Sequence, residues 1–315
     1  MQVAILASRT GWHTDELCRA LKQRGHTGHV VFYEQLVARL GRRLPHVHVD
    51  QSHPGLSALT SGAASLLDAD AVLARIIPAG SLEQIIYRLD ALHWIEERGI
   101  PVMNSPRAIE RTVDKFYTDA RLGEAGLPTP ETVVCEGVDE AMAAVEQFGD
   151  AVIKPLFGSM GHGLVRVSDP DTAHRVIRAL VQTRAVFYVQ RIVSREGRDV
   201  RAFVVGGRVV AAIERRAAPH EWRSNVSRGG LATALDLPGP WASLACRAAT
   251  AVGAEYAGVD LMPAADDTVF VLEVNGIPGW EGLQRATGVD VAGALIDHLT
   301  SRVTARSNAC PELLP

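Results

Sequence analysis

The chain has 315 residues, 47% of them hydrophobic, with 32 basic against 36 acidic side chains and a formal charge of -4. That much apolar material buries a substantial core over two or three structural units and excludes disorder, while the near balance of charge excludes a polycationic surface made for nucleic acid or membrane. Cys18, Cys135, Cys246 and Cys310 form no Cys-x-x-Cys pair and no segment is long and apolar enough to span a bilayer, so neither a structural zinc site nor a membrane anchor is expected, and a reducing cytoplasm fits best.

The first hundred residues alternate strand-like and helix-like patterns, as an open α/β layer requires. "QVAILA" reads as a strand, "HTDELCRALKQRG" as a helix ended by Gly25, "GHVVFY" and "DAVLARI" as two further strands, and "SLEQIIYRLDALHWIEERG" as a long helix ending at Gly99. This gives an N-terminal α/β domain over residues 1–104. Asn104-Ser105-Pro106 breaks the chain, and Asn104 or Ser105 is positioned to cap one helix over "RAIERTVDKFYTDARLGEAG". "LPTPETVV", "DAVIKPLFG" and "HGLVRVS" read as strands and "DTAHRVIRAL" as a helix, giving a central α+β portion over 105–189. From 190 to 302 a hairpin in "DVRAFVVGGRVVAAIERRA" turns at Gly206-Gly207, a helix follows over "ASLACRAATAVG", and "EYAGVDLMP" and "TVFVLEVN" are strands. Residues 303–315 lack periodicity and are expected to be loose.

Of the 32 basic residues only three are lysine, namely Lys22, Lys115 and Lys154. In a chain that otherwise uses arginine, a retained lysine marks a need for a compact point charge on a flexible stem. Lys22 lies on a polar helix face and carries no such argument. Lys154 ends an apolar strand and precedes Gly158, Gly161 and Gly163, a loop whose backbone N–H groups are suited to phosphate. The segment after the glycines is strand-like rather than helical, so the dinucleotide-binding fingerprint is excluded, and an ordinary glycine hairpin is the alternative.

Glu273 and Asn275 stand two apart on one strand and share a face, with Asp260 on the strand before. Two carboxylates and an amide carbonyl suit magnesium held together with a nucleotide, or manganese, rather than zinc. The alternative is that Glu273 pairs with an arginine and Asn275 starts the turn. "FYVQRIV" is an apolar strand suited to holding adenine between apolar walls, with Asp199 beyond it as a hydrogen-bond acceptor or ion-pair partner. In "IERRAAPHEWRSNVSRGG", Arg215, Arg216, Arg223 and Arg228 cluster with Ser224 and Asn225 as an anion site. His46, His48 and His162 lack ligand spacing for a metal.

In this order, these segments resemble the ATP-grasp superfamily and within it the RimK-type α-L-glutamate ligases, from about Asn104 to about Leu299. The resemblance is carried by "VDKF", "VIKPLFGSMGHG", "VQRIV", "DVRAFVVGGRVVAAIERR", "RSNVSRGG", "GVDL" and "EVNGIPG". It implies an ATP-grasp fold behind an N-terminal pre-ATP-grasp domain. It implies that Lys115 and Lys154 contact ATP phosphates, that Gly158, Ser159, Gly161 and Gly163 belong to the phosphate loop, and that Gln190, Arg191 and Ile192 line adenine, with Asp199 beyond them. Asp260, Glu273 and Asn275 would hold magnesium. Arg216, Asn225 and Arg228 would serve the acyl phosphate, with Arg201, Arg215, Arg223 and Ser224 around the acceptor. Two departures stand out: the hinge reads Gln190-Arg191 where the family has Gln-Glu, and "GIPGWEGLQ" places Ile277 and Trp280 beside the expected reaction centre, which points to a bulky acceptor.

"NGIPGWEGLQ", Gly11-Trp12 and "RIIPAGSLEQIIYRLDAL" are similar to the branch associated with tetrahydromethanopterin-type cofactors. The resemblance implies an ATP-dependent ligase that activates a carboxylate, on a small molecule or a peptide, and joins it to L-glutamate, whether as a single chain or a homo-oligomer. A silent nucleotide-binding regulatory module and a kinase that stops at phosphoryl transfer are the alternatives.

Overall fold

The computed structural model describes residues 1–40, 58–158, 163–193, 197–218 and 230–309. The chain forms two compact units, one of Met1–Arg107 together with the segment from Asp290, the other of Ala108–Val289.

The first unit is an open parallel layer. β1 (Gln2–Ala7) is followed by α1 (Trp12–Gln23) and β2 (Thr27–Phe32), and a small antiparallel sheet of β3 (Leu36–Ala38), β4 (Leu59–Ser61) and β5 (Ala64–Ser65) precedes β6 (Ala71–Ala74). α2 (Leu82–Glu97) and β7 (Val102–Met103) complete the sheet order β2-β1-β6-β7, parallel throughout. The continuous apolar runs of β1 and β6 are what a strand covered on both faces requires, and Val3 to Ala7 and Ala71 to Ala74 are buried. Ser81 and Gln84 form a reciprocal capping box that starts α2. α3 (Pro106–Val113) runs across the boundary.

In the second unit α4 (Lys115–Glu124) is separate from α3, which corrects the expectation of one helix. Asp114 has an extended backbone and its carboxylate accepts a hydrogen bond from the Tyr117 N–H at 3.2 Å, so it caps a new helix instead of continuing the old one. The Thr118 hydroxyl then donates to the Arg111 carbonyl at 2.6 Å and ties the two helices together. Next come β8 (Thr132–Cys135), α5 (Val138–Phe148), β9 (Ala151–Lys154), β10 (Val165–Val167), α6 (Pro170–Gln182) and β11 (Phe187–Arg191). Their sheet, β10-β9-β11-β8, is antiparallel, and Ile153, Val167, Phe187 and Val189 bury one face against α5 and α6.

The remaining strands are β12 (Arg198–Val205), β13 (Arg208–Arg216), β14 (Leu231–Ala234), then α7 (Gly239–Val252), β15 (Tyr256–Pro263) and β16 (Val269–Asn275). They form the antiparallel order β14-β13-β12-β15-β16. Val200, Ala202, Val259, Leu261, Val271 and Val274 pack one face into a core with α7 and α4 residues. A register shift at Asp260/Leu261 leaves Leu272 as the extra residue of a β-bulge, so Val271 and Val274 both reach the core while Glu273 faces the opposite side. α8 (Glu281–Thr287) follows the "GIPG" turn.

α9 (Val291–Ala309) belongs to the first unit and corrects the loose tail expected from 303. Val291, Leu295 and Leu299 repeat at helical spacing and are fully buried, Arg24 grips Asp297 at 2.5 and 2.8 Å, and Arg302 donates to the Val102 carbonyl at 2.8 Å.

Candidate functional site

Each sheet of the second unit has an apolar face in its core and a polar face left over, because side chains alternate along a strand. On the first sheet, Lys154 stands directly opposite Tyr188, and Gln190 lies two residues further along the Tyr188 face, opposite Thr132. On the second, Arg201 stands opposite Asp260, Asp260 opposite Glu273, and Asn275 opposite Gly258. The strand-borne charges expected from the sequence therefore gather on these two faces.

A cleft of about 210 Å³ joins α4 to both sheets and is lined by Lys115, Thr118, Asp119, Tyr188, Leu272 and Glu273, with Thr112 at its edge. Lys115 is the first residue of α4; its ammonium donates to the Gly158 carbonyl at 2.9 Å and the Leu156 carbonyl at 3.3 Å, at the start of the glycine loop. Lys154 donates to Gln190 Oε1 at 2.6 Å and lies 5.5 Å from the Tyr188 ring centre. Burial pushes both lysines below their ordinary range, and the carboxylates of Glu273 and Asp119 act against that push. Both ammonium groups thus feel the same two acids.

Glu273 makes no hydrogen bond or ion pair with a described residue, whereas Asp260 is fully engaged. Arg201 holds both Asp260 oxygens at 2.7 Å and Arg215 reaches Oδ2 at 2.9 Å. Burial would raise the Asp260 carboxyl, but the two guanidinium groups override it and hold the value down at about 2. The Asn275 side-chain carbonyl accepts from the Ile277 N–H at 3.0 Å. The hard, unshared oxygens of Glu273, beside a second carboxylate and an amide carbonyl on the same face, are a donor set that fits magnesium. Among the described residues no group of three or more His, Cys, Asp or Glu side chains is arranged for a metal.

The turn after Asn275 is shaped by close approach. A side chain at Gly276 would come within 2.3 Å of the Thr112 hydroxyl, and one at Gly258 within 3.0 Å of Pro278. Only glycine lets this turn lie against α3 at the edge of the cleft.

Several expectations are corrected. Asp199 takes the ion-pair alternative and not an adenine contact: it is buried and both its oxygens are held by Arg215, at 2.6 and 2.7 Å. Arg201 and Arg215 direct their forks at Asp260 and Asp199 instead of forming a free anion clamp. Arg216, one residue after Arg215, falls on the opposite face of the sheet, where it is exposed and pairs with Glu214 at 2.6 Å. Trp280 adds no surface to the reaction centre: it is 1% exposed and packs edge-on against Phe203 at 6.2 Å.

At the hinge, the N–H groups of Arg191 and Ile192 donate to the carbonyls of Glu131 and Asp150 at 2.9 and 3.0 Å. The Arg191 side chain points away from the cleft, over Phe148 and onto Glu131 at 2.9 Å. Gly158 and Gly163 lie at the two ends of the loop, both at positive φ, packed against Pro155. Ser159, Gly161, Arg223, Ser224, Asn225 and Arg228 lie outside the described residues, as do His46, His48 and His162.

Sequence reasoning missed Asp119 and Tyr188. The signal for each was its distance from a residue already suspected: Asp119 is one helical turn after Lys115, and Tyr188 two strand positions before Gln190.

Two family descriptions match the chain, a RimK-like ATP-grasp domain over residues 112–299 and a RimK PreATP-grasp domain over residues 1–109. The chain is 37% identical over 266 residues to a tetrahydromethanopterin:alpha-L-glutamate ligase of Methanosarcina acetivorans, covering 76% of this chain and 82% of the relative. It is 34% identical over 304 residues to a probable alpha-L-glutamate ligase of Trichodesmium erythraeum, covering 95% and 96%. Among solved structures, the ATP-grasp ligase PsnB with a precursor variant, Mg and ADP superposes with a TM-score of 0.70 at 22% identity, over 95% of this chain and 98% of that one. The D-cycloserine synthetase DcsG does so with a TM-score of 0.70 at 19% identity, over 96% of this chain and all of that one, which shows the shared fold. The chain belongs to the RimK-like ATP-grasp family and is an ATP-dependent ligase.

Proposed function

We propose that this protein uses ATP and magnesium in the cytoplasm to activate the carboxylate of an acceptor as an acyl phosphate, and joins it to the amine of L-glutamate. The single observation that carries this reading is that Lys115 and Glu273 line one cleft while Lys154, from a different sheet, lies buried within electrostatic reach of the same Glu273. Two cations facing one unshared carboxylate suit the phosphate end of a nucleotide together with a divalent ion.

The protein's contribution is positioning and charge. Lys115 and Lys154 would hold the phosphate oxygens, and Glu273, with Asn275 and Asp260 on the same face, would hold the magnesium, which when bound would supply neutralising charge to the transferring phosphoryl group. Arg201 and Arg215 keep Asp260 ionised and fixed in place. No nucleophile of the protein is required.

The glutamate donor and a pterin-type acceptor are supported by the names of the relatives, which are 37% and 34% identical. A peptide carboxylate is the competing acceptor, and PsnB is a relative in fold solved with a precursor. Incubation with ATP, magnesium and labelled glutamate against pterin and peptide acids, read by product mass, tests the proposal. Release of ADP and phosphate should require both an acceptor acid and glutamate. Turnover that ignores the amino acid overturns the scheme, and a stable phosphate ester formed without amine would identify a kinase.

A further inference from the structure

Four side chains behind Lys154 form a hydrogen-bonded chain in which the direction of every proton is fixed. The Thr132 hydroxyl donates its one proton to the Pro130 carbonyl at 2.9 Å, so towards Gln190 it can only accept. The Tyr188 hydroxyl donates its one proton to the carboxylate of Asp119, so it too can only accept from Gln190. Gln190 Nε2 accordingly donates to Thr132 at 3.0 Å and to Tyr188 at 3.1 Å. The Gln190 carbonyl is thereby turned towards Lys154, whose ammonium it accepts at 2.6 Å. Reversing the amide would set its N–H₂ against the ammonium and leave two hydroxyl oxygens without donors, so the buried amide has one orientation.

Asp119 starts this chain, and it lies on α4 one turn after Lys115. The helix that carries one cleft lysine thus also carries the acid that orients the side chain holding the other. Asp119 and Tyr188 both line the cleft, with the Tyr188 ring otherwise buried. Burial first, and the neighbouring Asp119 charge second, push the Tyr188 phenol far up, so it stays a proton donor across the working pH range.

We propose that Asp119 and Tyr188 are positioning residues that act through Gln190 to hold the Lys154 ammonium where the phosphates of a nucleotide bind. This rests on the nucleotide reading given above. The energetic unit is the chain, so breaking it at either link should cost the same, and the cost should exist only while Lys154 is present.

The test is the affinity of the full-length protein for ADP with magnesium, measured by calorimetry. Tyr188→Phe keeps the ring beneath the ammonium and removes only the hydroxyl; Asp119→Asn removes the charge and lets the link reverse. Each should weaken ADP binding about tenfold, or about 1.4 kcal/mol, within the range of a typical intramolecular hydrogen bond. The double variant should be no weaker than either single one. In a Lys154→Ala background Tyr188→Phe should leave the affinity unchanged, a dependence that a merely structural role would not show.

If Lys154→Ala weakens ADP binding but Tyr188→Phe does not, or if the Tyr188→Phe loss persists in full without Lys154, the positioning role is wrong. If Lys154→Ala itself leaves ADP affinity unchanged, the nucleotide reading falls and the positioning role with it. Should circular dichroism show that Tyr188→Phe does not fold, Thr132→Val removes the other acceptor of Gln190 with the ring intact, and the same comparison decides.

Discussion

Asp260 and Glu273 stand directly opposite each other on β15 and β16, yet one carboxylate is gripped by two arginines and the other, among the described residues, by none. The pair separates two roles that the sequence could not tell apart. Asp260 is the oxygen donor fixed in place by the frame, and Glu273 is the one whose oxygens no described residue holds.

Glu273→Gln should therefore lower magnesium-dependent ATP turnover by about 100-fold or more while leaving unfolding free energy within roughly 0.5 kcal/mol. Asp260→Asn leaves Arg201 and Arg215 short of their partner in a buried setting and should destabilise the protein by about 3 kcal/mol. Urea unfolding of both variants, beside steady-state assays, checks the contrast. Equal destabilisation by the two substitutions would contradict it.

Asp260 also sets an acid limit on stability. Its carboxyl is held at about 2 against an ordinary value of 3.8, so the ionised form is favoured in the folded chain. The contribution is fully present above the ordinary value, disappears as pH falls through about 4 to 2, and amounts to about 2 kcal/mol at roughly 1.4 kcal/mol per pH unit. The stability gap between wild type and Asp260→Asn should narrow over that window. A gap that stays constant down to pH 2 would assign the loss to packing instead.

Lys115 and Lys154 predict opposite trends on the alkaline side. Burial lowers both from their ordinary value, so their protonated forms cost stability in the folded chain, and that cost is relieved as pH rises towards the ordinary lysine range. The same loss of charge weakens a phosphate site. ADP affinity should fall at a pH below that at which an exposed lysine titrates, while chemical stability of the ligand-free protein rises; calorimetry and urea melts along one pH series measure both.

Trp280→Ala should cost about 3–5 kcal/mol in unfolding free energy, the usual consequence of emptying a buried aromatic site. Trp280→Phe should keep the order of preference among acceptor acids. A switch in acceptor choice with little loss of stability would return Trp280 to the substrate. Arg191→Gln, on the face turned away from the cleft, should change ADP affinity by less than about twofold and stability by no more than about 1 kcal/mol.

The elements with strong periodicity were legible in the sequence. β1, α1, α2, the β12–β13 hairpin, β15 and β16 lie where the apolar spacing puts them, because each buries a face against a partner with the same period. The α3–α4 break was hidden because Asp114 is compatible with helix by propensity and acts instead as a cap. α9 was hidden because its outer face is polar and its burial depends on α1 and β7, hundreds of residues away in sequence.

The site divides the same way. Lys154 and Glu273 were singled out from their type and setting, and Lys115 from the scarcity of lysine together with the resemblance. The partners of Arg201, Arg215 and Asp199 were not, since opposite charges on adjacent strands select each other only once the register is fixed. Trp280 was misread because a tryptophan in a glycine-proline turn looks exposed until the helix it precedes is seen.

The return of α9 to the first unit gives the chain an order of assembly. During vectorial synthesis everything the second unit needs, Ala108 to Val289, leaves the ribosome before Val291, Leu295 and Leu299, which the first unit requires to close its core. Domains fold as units once their sequence is complete, so the inserted ligase body is finished while the earlier-made layer still waits for its last helix.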